Sequence, residues 1–177
     1  MYNLHILKLS ERLKKFEKET NHIAETTLNR VENKIKNLKV DIVVSDQPHS
    51  VIPEIGLGGY APTKNVLYIY TDPGREIFSE IIQRDLPRTL AHELHHCARW
   101  QSIGYGKTLL EAMVSEGLAD HFDIEINHVD SPPWSTALKE QEITELLVRA
   151  RKSFHDNNYD FIYTTFGATK INFVRES

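Results

Sequence analysis

His92, Glu93 and His96 stand in the spacing His-Glu-x-x-His. On a helix, residues four apart lie one turn above each other on one face. Two imidazoles so placed can grip a single metal ion at about 2.0–2.1 Å each. Glu93 is adjacent to His92 and points toward the open side of such a site, where a carboxylate can take a proton from a metal-bound water. A catalytic zinc site wants a third protein ligand and one open position. Glu116, twenty residues after His96, offers a carboxylate, and Asp120 follows one turn later on the same face. A ligating imidazole also wants an acceptor on its other ring nitrogen, and Asp120 can be that acceptor. Glu111 forms a capping box with Thr108 and so ranks low as a ligand. The competing explanation is a solvated helix face in a chain that has nine histidines. A third ligand and an orienting acid at helical spacing weigh against it.

These residues need elements to hold them. Leu86, Leu90, Ala91, Leu94, Ala98 and Trp100 flank the motif and predict a helix of about four to five turns. Asp85 is its expected N-cap with Pro87 in the first turn, and Gly104 and Gly106 are its expected stop. A helix is expected at residues 76–84, broken or kinked before the motif helix by Pro87. Residues 107–122 predict the helix that carries Glu116. Upstream, Leu13, Phe16, Ile23, Ala24, Val31, Ile35 and Leu38 recur at steps of three, four and seven, which predicts a long amphipathic helix over about residues 4–38. Residues 40–44, 55–60 and 66–70 predict three strands, with a turn at 62–65. The expected fold is α+β: one domain, with a small, mostly antiparallel sheet packed against the motif helix. An edge strand of that sheet could pair with an extended peptide. Gly58 and Gly59 either admit another backbone closely or only permit a bulge. Beyond a loop at residues 130–133, Ile143, Leu146, Leu147, Ala150 and Phe154 predict one more amphipathic helix.

Composition narrows the class. At 177 residues the chain can bury a sizeable core as one domain. A net charge of −4 gives no support to a nucleic-acid partner, which favours a basic face. A single cysteine excludes an internal disulfide and suits a reducing compartment. Cys97 neighbours His96, but adjacent helical residues do not face each other. It reads as a small buried hydrophobe rather than a nucleophile. The first nineteen residues are rich in Lys and Glu and have no long apolar run, so neither a signal peptide nor a membrane span is expected. The expectation is a cytoplasmic protein without membrane association.

His92-Glu93-x-x-His96 followed by Glu116 and Asp120 resembles the gluzincin arrangement of thermolysin-like metallopeptidases. More closely, the chain resembles a bacterial family of predicted zinc-dependent proteases of otherwise unknown function. The resemblance is carried by Gly56-Leu57-Gly58-Gly59-Tyr60-Ala61-Pro62, His92-Glu93-Leu94-His95-His96, Glu116-Gly117-Leu118-Ala119-Asp120 and Pro132-Pro133-Trp134-Ser135-x-Ala137-Leu138, and it covers about residues 40–155. It implies a zincin-like fold, one zinc ion per chain on His92, His96 and Glu116, Glu93 as general base, and a peptide or protein substrate. Gluzincins commonly use a Tyr or His as the donor to the oxyanion. Tyr105, His155, Tyr159 and Tyr163 are the candidates here.

Two other readings stay open on the residues alone. Glu93–His96, Glu19–His22 and Glu125–His128 are all Glu-x-x-His pairs, and carboxylate-bridged di-iron bundles use two such pairs with two further Glu residues. Strands before the motif, and a His92 left without a role, count against that reading. The other is a catalytically silent metal domain that binds a peptide.

Overall fold

A computed structural model describes residues 1–157. Within them, β1 (Tyr2–Ile6), β2 (Val40–Asp46), β3 (Leu57–Thr63) and β4 (Val66–Thr71) form one sheet in the order β1-β2-β4-β3. The helices are α1 (Glu11–Lys14), α2 (Glu17–Lys34), α3 (Phe78–Gln101), α4 (Leu109–Asn127) and α5 (Glu140–Ala150). The fold is α+β, as the sequence indicated.

The sheet is not mostly antiparallel. β1–β2 and β2–β4 pair in parallel, and β3–β4 alone pair antiparallel. Parallel neighbours need a crossover between them, and α1 with α2 provides one from β1 to β2. After β2 the chain passes to the far edge, returns as β3, and turns into β4, which lies between β2 and β3.

The long helix expected over residues 4–38 is also corrected. Its first part is β1, in which Asn3 and His5 are exposed while Tyr2, Leu4 and Ile6 are more enclosed. That is the period of two of a strand. Ser10 then caps α1, its hydroxyl accepting the Leu13 N–H. The true long helix is α2, which buries Thr20, Ala24, Thr27, Leu28 and Val31.

α3 is one continuous helix with Pro87 inside it, not two helices separated there. An interior proline costs about 3 kcal/mol through its missing N–H and its ring clash. Phe78, Ile81 and Ile82 lie in the part of α3 before it and are fully buried. At about 1.5–3 kcal/mol for each such side chain, their burial outweighs the proline. Asp85 is therefore mid-helix rather than a cap, and it pairs with Arg84 at 2.6 Å. The stop is where the glycines put it: Gly104, at φ +87°, donates its N–H to the Arg99 carbonyl at 2.7 Å. Cys97 is buried on this helix, and burial pushes its thiol up to about 12, out of the range of a nucleophile at neutral pH.

α4 runs antiparallel to α3, since partner numbers fall on one as they rise on the other. Arg88 bonds Asp123 at 2.9 Å, and farther along His92 meets Asp120 and His96 meets Ser115. The capping box of Thr108 and Glu111 starts α4 as expected. Two more N–H groups of its first turn are satisfied from downstream. Leu109 donates to the Asp156 carbonyl at 3.1 Å and Leu110 to that of Phe154 at 3.2 Å. Among the described residues, no helix is long and apolar enough to cross a membrane.

Candidate metal centre

His92 and His96, one turn apart on α3, turn their Nε2 atoms to one point, 3.0 Å from each other. α4 brings Glu116 to the same point. Its Oε2 lies 3.1 Å from His92 Nε2 and its Oε1 3.4 Å from His96 Nε2. All three ligand atoms fall within 4.8 Å of one another. The outer faces of these groups are held as well. His92 Nδ1 lies 3.1 Å from Asp120 Oδ1, and His96 Nδ1 lies 3.3 Å from the buried Ser115 hydroxyl. Trp134 Nε1, at 3.0 Å, and the Ser135 hydroxyl, at 3.1 Å, both donate to Asp120 Oδ2. The Tyr105 hydroxyl donates to Glu116 Oε1. With its Nδ1–H given to Asp120, a neutral His92 presents a lone pair inward on Nε2. Two imidazole lone pairs and a carboxylate then converge, which is a donor set suited to a divalent cation.

The charges follow from this packing. Burial opposes ionisation of His92, but hydrogen bonds to Asp120 and Glu116 prevail and hold its pKa well above the usual histidine value. Burial also works against the Glu116 and Asp120 carboxylates. Their histidine partners overcome it, and both pKa values are lowered. Glu93 behaves in the opposite way. It is buried, and desolvation raises its pKa even though His96 and His92 pull it down. Two acids of one site are thus driven apart, the pattern of a ligand beside a base.

The model of a family described as predicted Zn-dependent proteases matches residues 20–171. The chain belongs to that family. The match extends the resemblance of residues 40–155 in both directions. Searches of curated proteins and of solved structures returned no match. Family membership brings zinc to the question, and His92, His96 and Glu116 are the group in this chain that could hold it. The two imidazoles are anchored through Nδ1, away from the Nε2 atoms they turn inward, and Glu116 is held by Tyr105 through Oε1.

The other expected residues divide. Among the candidate oxyanion donors Tyr105 is at the centre, where its hydroxyl bonds Glu116. His155 is exposed in the turn after α5 and does not join the group. Tyr159 and Tyr163 lie outside the described residues. The other Glu-x-x-His pairs serve elsewhere. Glu19 accepts from Ser79 and Gln83, Glu125 pairs with Lys34 at 2.6 Å, and His128 ends α4 in a left-handed conformation. The described residues hold no second cluster of three metal-capable side chains. Sequence reasoning missed Ser115, although a small polar residue next to Glu116 on a buried face was a usable signal. It also missed what Trp134 and Ser135 do, although both stand in a family-like motif. Their bonds to Asp120 give that motif a physical reason.

Proposed function

We propose that the chain is a zinc-dependent peptidase of gluzincin type. The observation that carries this reading is the convergence of His92, His96 and Glu116 on one point with the buried base Glu93 beside them. His92, His96 and Glu116 hold one zinc ion. A zinc ion bound there would bring the pKa of a water toward about 7 and polarise a carbonyl. Glu93 takes the proton of the attacking water and passes it to the leaving amine. Its raised pKa makes it a stronger base than an exposed carboxylate. Asp120 and Ser115 fix the two imidazole rings, and Tyr105 fixes Glu116. The substrate is an extended peptide that adds to β3, the sheet edge next to α3. The β3 edge at Leu57 is already taken, because Ile52 donates its N–H to the Leu57 carbonyl. The stretch of edge left for the peptide therefore lies between Leu57 and Ala61, whose carbonyl is taken by Trp100.

The test joins elemental analysis to cleavage of a peptide library read by mass spectrometry. One zinc per chain is expected, with cleavage that a chelator stops and added zinc restores. Two irons per chain, or cleavage indifferent to the chelator, would overturn the reading. One zinc with no cleavage of any library peptide would leave a silent peptide-binding domain.

Zinc affinity should depend on pH in a defined direction. His92 must be neutral to bind zinc, and its pKa lies above the usual histidine value. Below that pKa binding displaces one proton, so affinity rises about tenfold per pH unit and levels off above it. Glu116 is already ionised across this range and adds no slope. Chelator competition from about pH 6 to about pH 9 measures this. A flat profile across neutrality would mean that His92 carries no proton to displace.

A further inference from the structure

We infer that Gly59 of the edge strand is a positioning residue for Glu93, an inference that rests on the peptidase reading above. Three observations meet there. A Cβ placed on Gly59 would lie 2.5 Å from Glu93 Oε1, 2.6 Å from its Cγ and 2.8 Å from its Cδ. The Glu93 carboxylate therefore sits in space that any other residue at position 59 would fill. Second, the Ala61 backbone faces the Glu93 carboxylate and favours its charged form against the burial that disfavours it. Third, Trp100, two turns after Glu93 on α3, donates its indole N–H to the Ala61 carbonyl at 3.1 Å.

The strand is shaped for this. Its pairing with β4 shifts between Tyr60 and Thr63. At that irregularity the Ala61 carbonyl turns to α3. Gly59 and Ala61 are two apart, so both face the helix on one side of the sheet. Gly59 supplies room, and the Ala61 carbonyl ties the strand to α3 through Trp100. Gly58, on the opposite face, has a different reason to lack a side chain: a Cβ there would lie 2.3 Å from the Ser50 carbonyl oxygen. Both glycines thus serve close approach, but by parts of this chain rather than by a substrate backbone.

The contact at Gly59 is with the Glu93 side chain from Cγ outward, not with backbone. The fold can absorb an added methyl by moving Glu93, and the base then loses its place. Misplacing a catalytic group by about 1 Å can lower a rate by about 10²-fold. Gly59→Ala should therefore keep one zinc per chain and the KM of the parent while kcat falls by about that factor.

A thermal-melt cycle separates this role from an ordinary strand glycine, and it needs no activity. Gly59→Ala should lower Tm when Glu93 is present. It should leave Tm unchanged or raise it in a Glu93→Ala background, where the conflicting atoms are gone. If Gly59→Ala alone does not fold, a native melt of the double variant gives the same answer. Equal Tm shifts in both backgrounds would overturn the inference, and so would a Gly59→Ala enzyme with the parent kcat. A parent that cleaves nothing would count against the peptidase reading, while the melt cycle would still report whether Gly59 seats Glu93.

Discussion

Glu93→Gln is expected to lower kcat by about 10²–10⁴-fold while zinc stays at one per chain. The amide keeps the shape of the carboxylate and fits the same space opposite Gly59. Little else in the site need move. What goes is the capacity to take a proton, because an amide is not a base near neutral pH. Zinc should stay because Glu93 is not among the three groups that converge. Metal content and kcat measured on one preparation check both halves. Loss of zinc together with activity would make Glu93 a ligand. Full activity would move the base to another residue.

Two substitutions on α4 should rank in a fixed order. Glu116→Ala removes a carboxylate that lies 3.1 Å from His92 Nε2 and 3.4 Å from His96 Nε2, so it should abolish tight zinc binding. Asp120→Ala leaves the three inward groups and takes away the acceptor that orients His92. Partners of this kind typically contribute about 10–100-fold to metal affinity or activity. Asp120 also gathers Trp134 and Ser135, so its loss frees the segment that follows α4 as well as one ring. Chelator competition on both variants, with circular dichroism to establish folding, gives the order. An Asp120→Ala protein that binds zinc and turns over like the parent would remove Asp120 from the mechanism and leave the three ligands standing.

The site was more legible than the fold because its rules are local. One helical turn links His92 to His96, and another links Glu116 to Asp120. Two short stretches of sequence therefore fixed which side chains share a face. The meeting of the two helices could not be read that way, but the chemistry of an incomplete metal site asked for it. Strand β1 escaped because Leu4 and Ile6 also fit the start of a helical pattern, and five residues are too few for the period of two to assert itself. Strand direction escaped for another reason. It depends on β4 lying between β2 and β3, a choice made by packing across the sheet. Pro87 misled because the local rule was applied without the burial of Phe78, Ile81 and Ile82, which outweighs it. The seat of Glu93 lay beyond a sequence reading. Gly59 could be seen to need close approach, but the visitor is a side chain from a helix over thirty residues later.

The carbonyls of Phe154 and Asp156 that receive the first N–H groups of α4 bear on the order in which the protein becomes competent during synthesis. His92, His96 and Glu116 all leave the ribosome before those carbonyls do. A chain grown only as far as Asp120 holds every ligand and the base, yet the turn that leads into Glu116 still lacks two of its hydrogen-bond acceptors. Closing it requires the chain beyond α5 to return across a loop of more than forty residues, a late event in folding from the N-terminus onward. The first turn of α4 thus gains its last two acceptors only once the segment at 154–156 has been made and has folded back onto it.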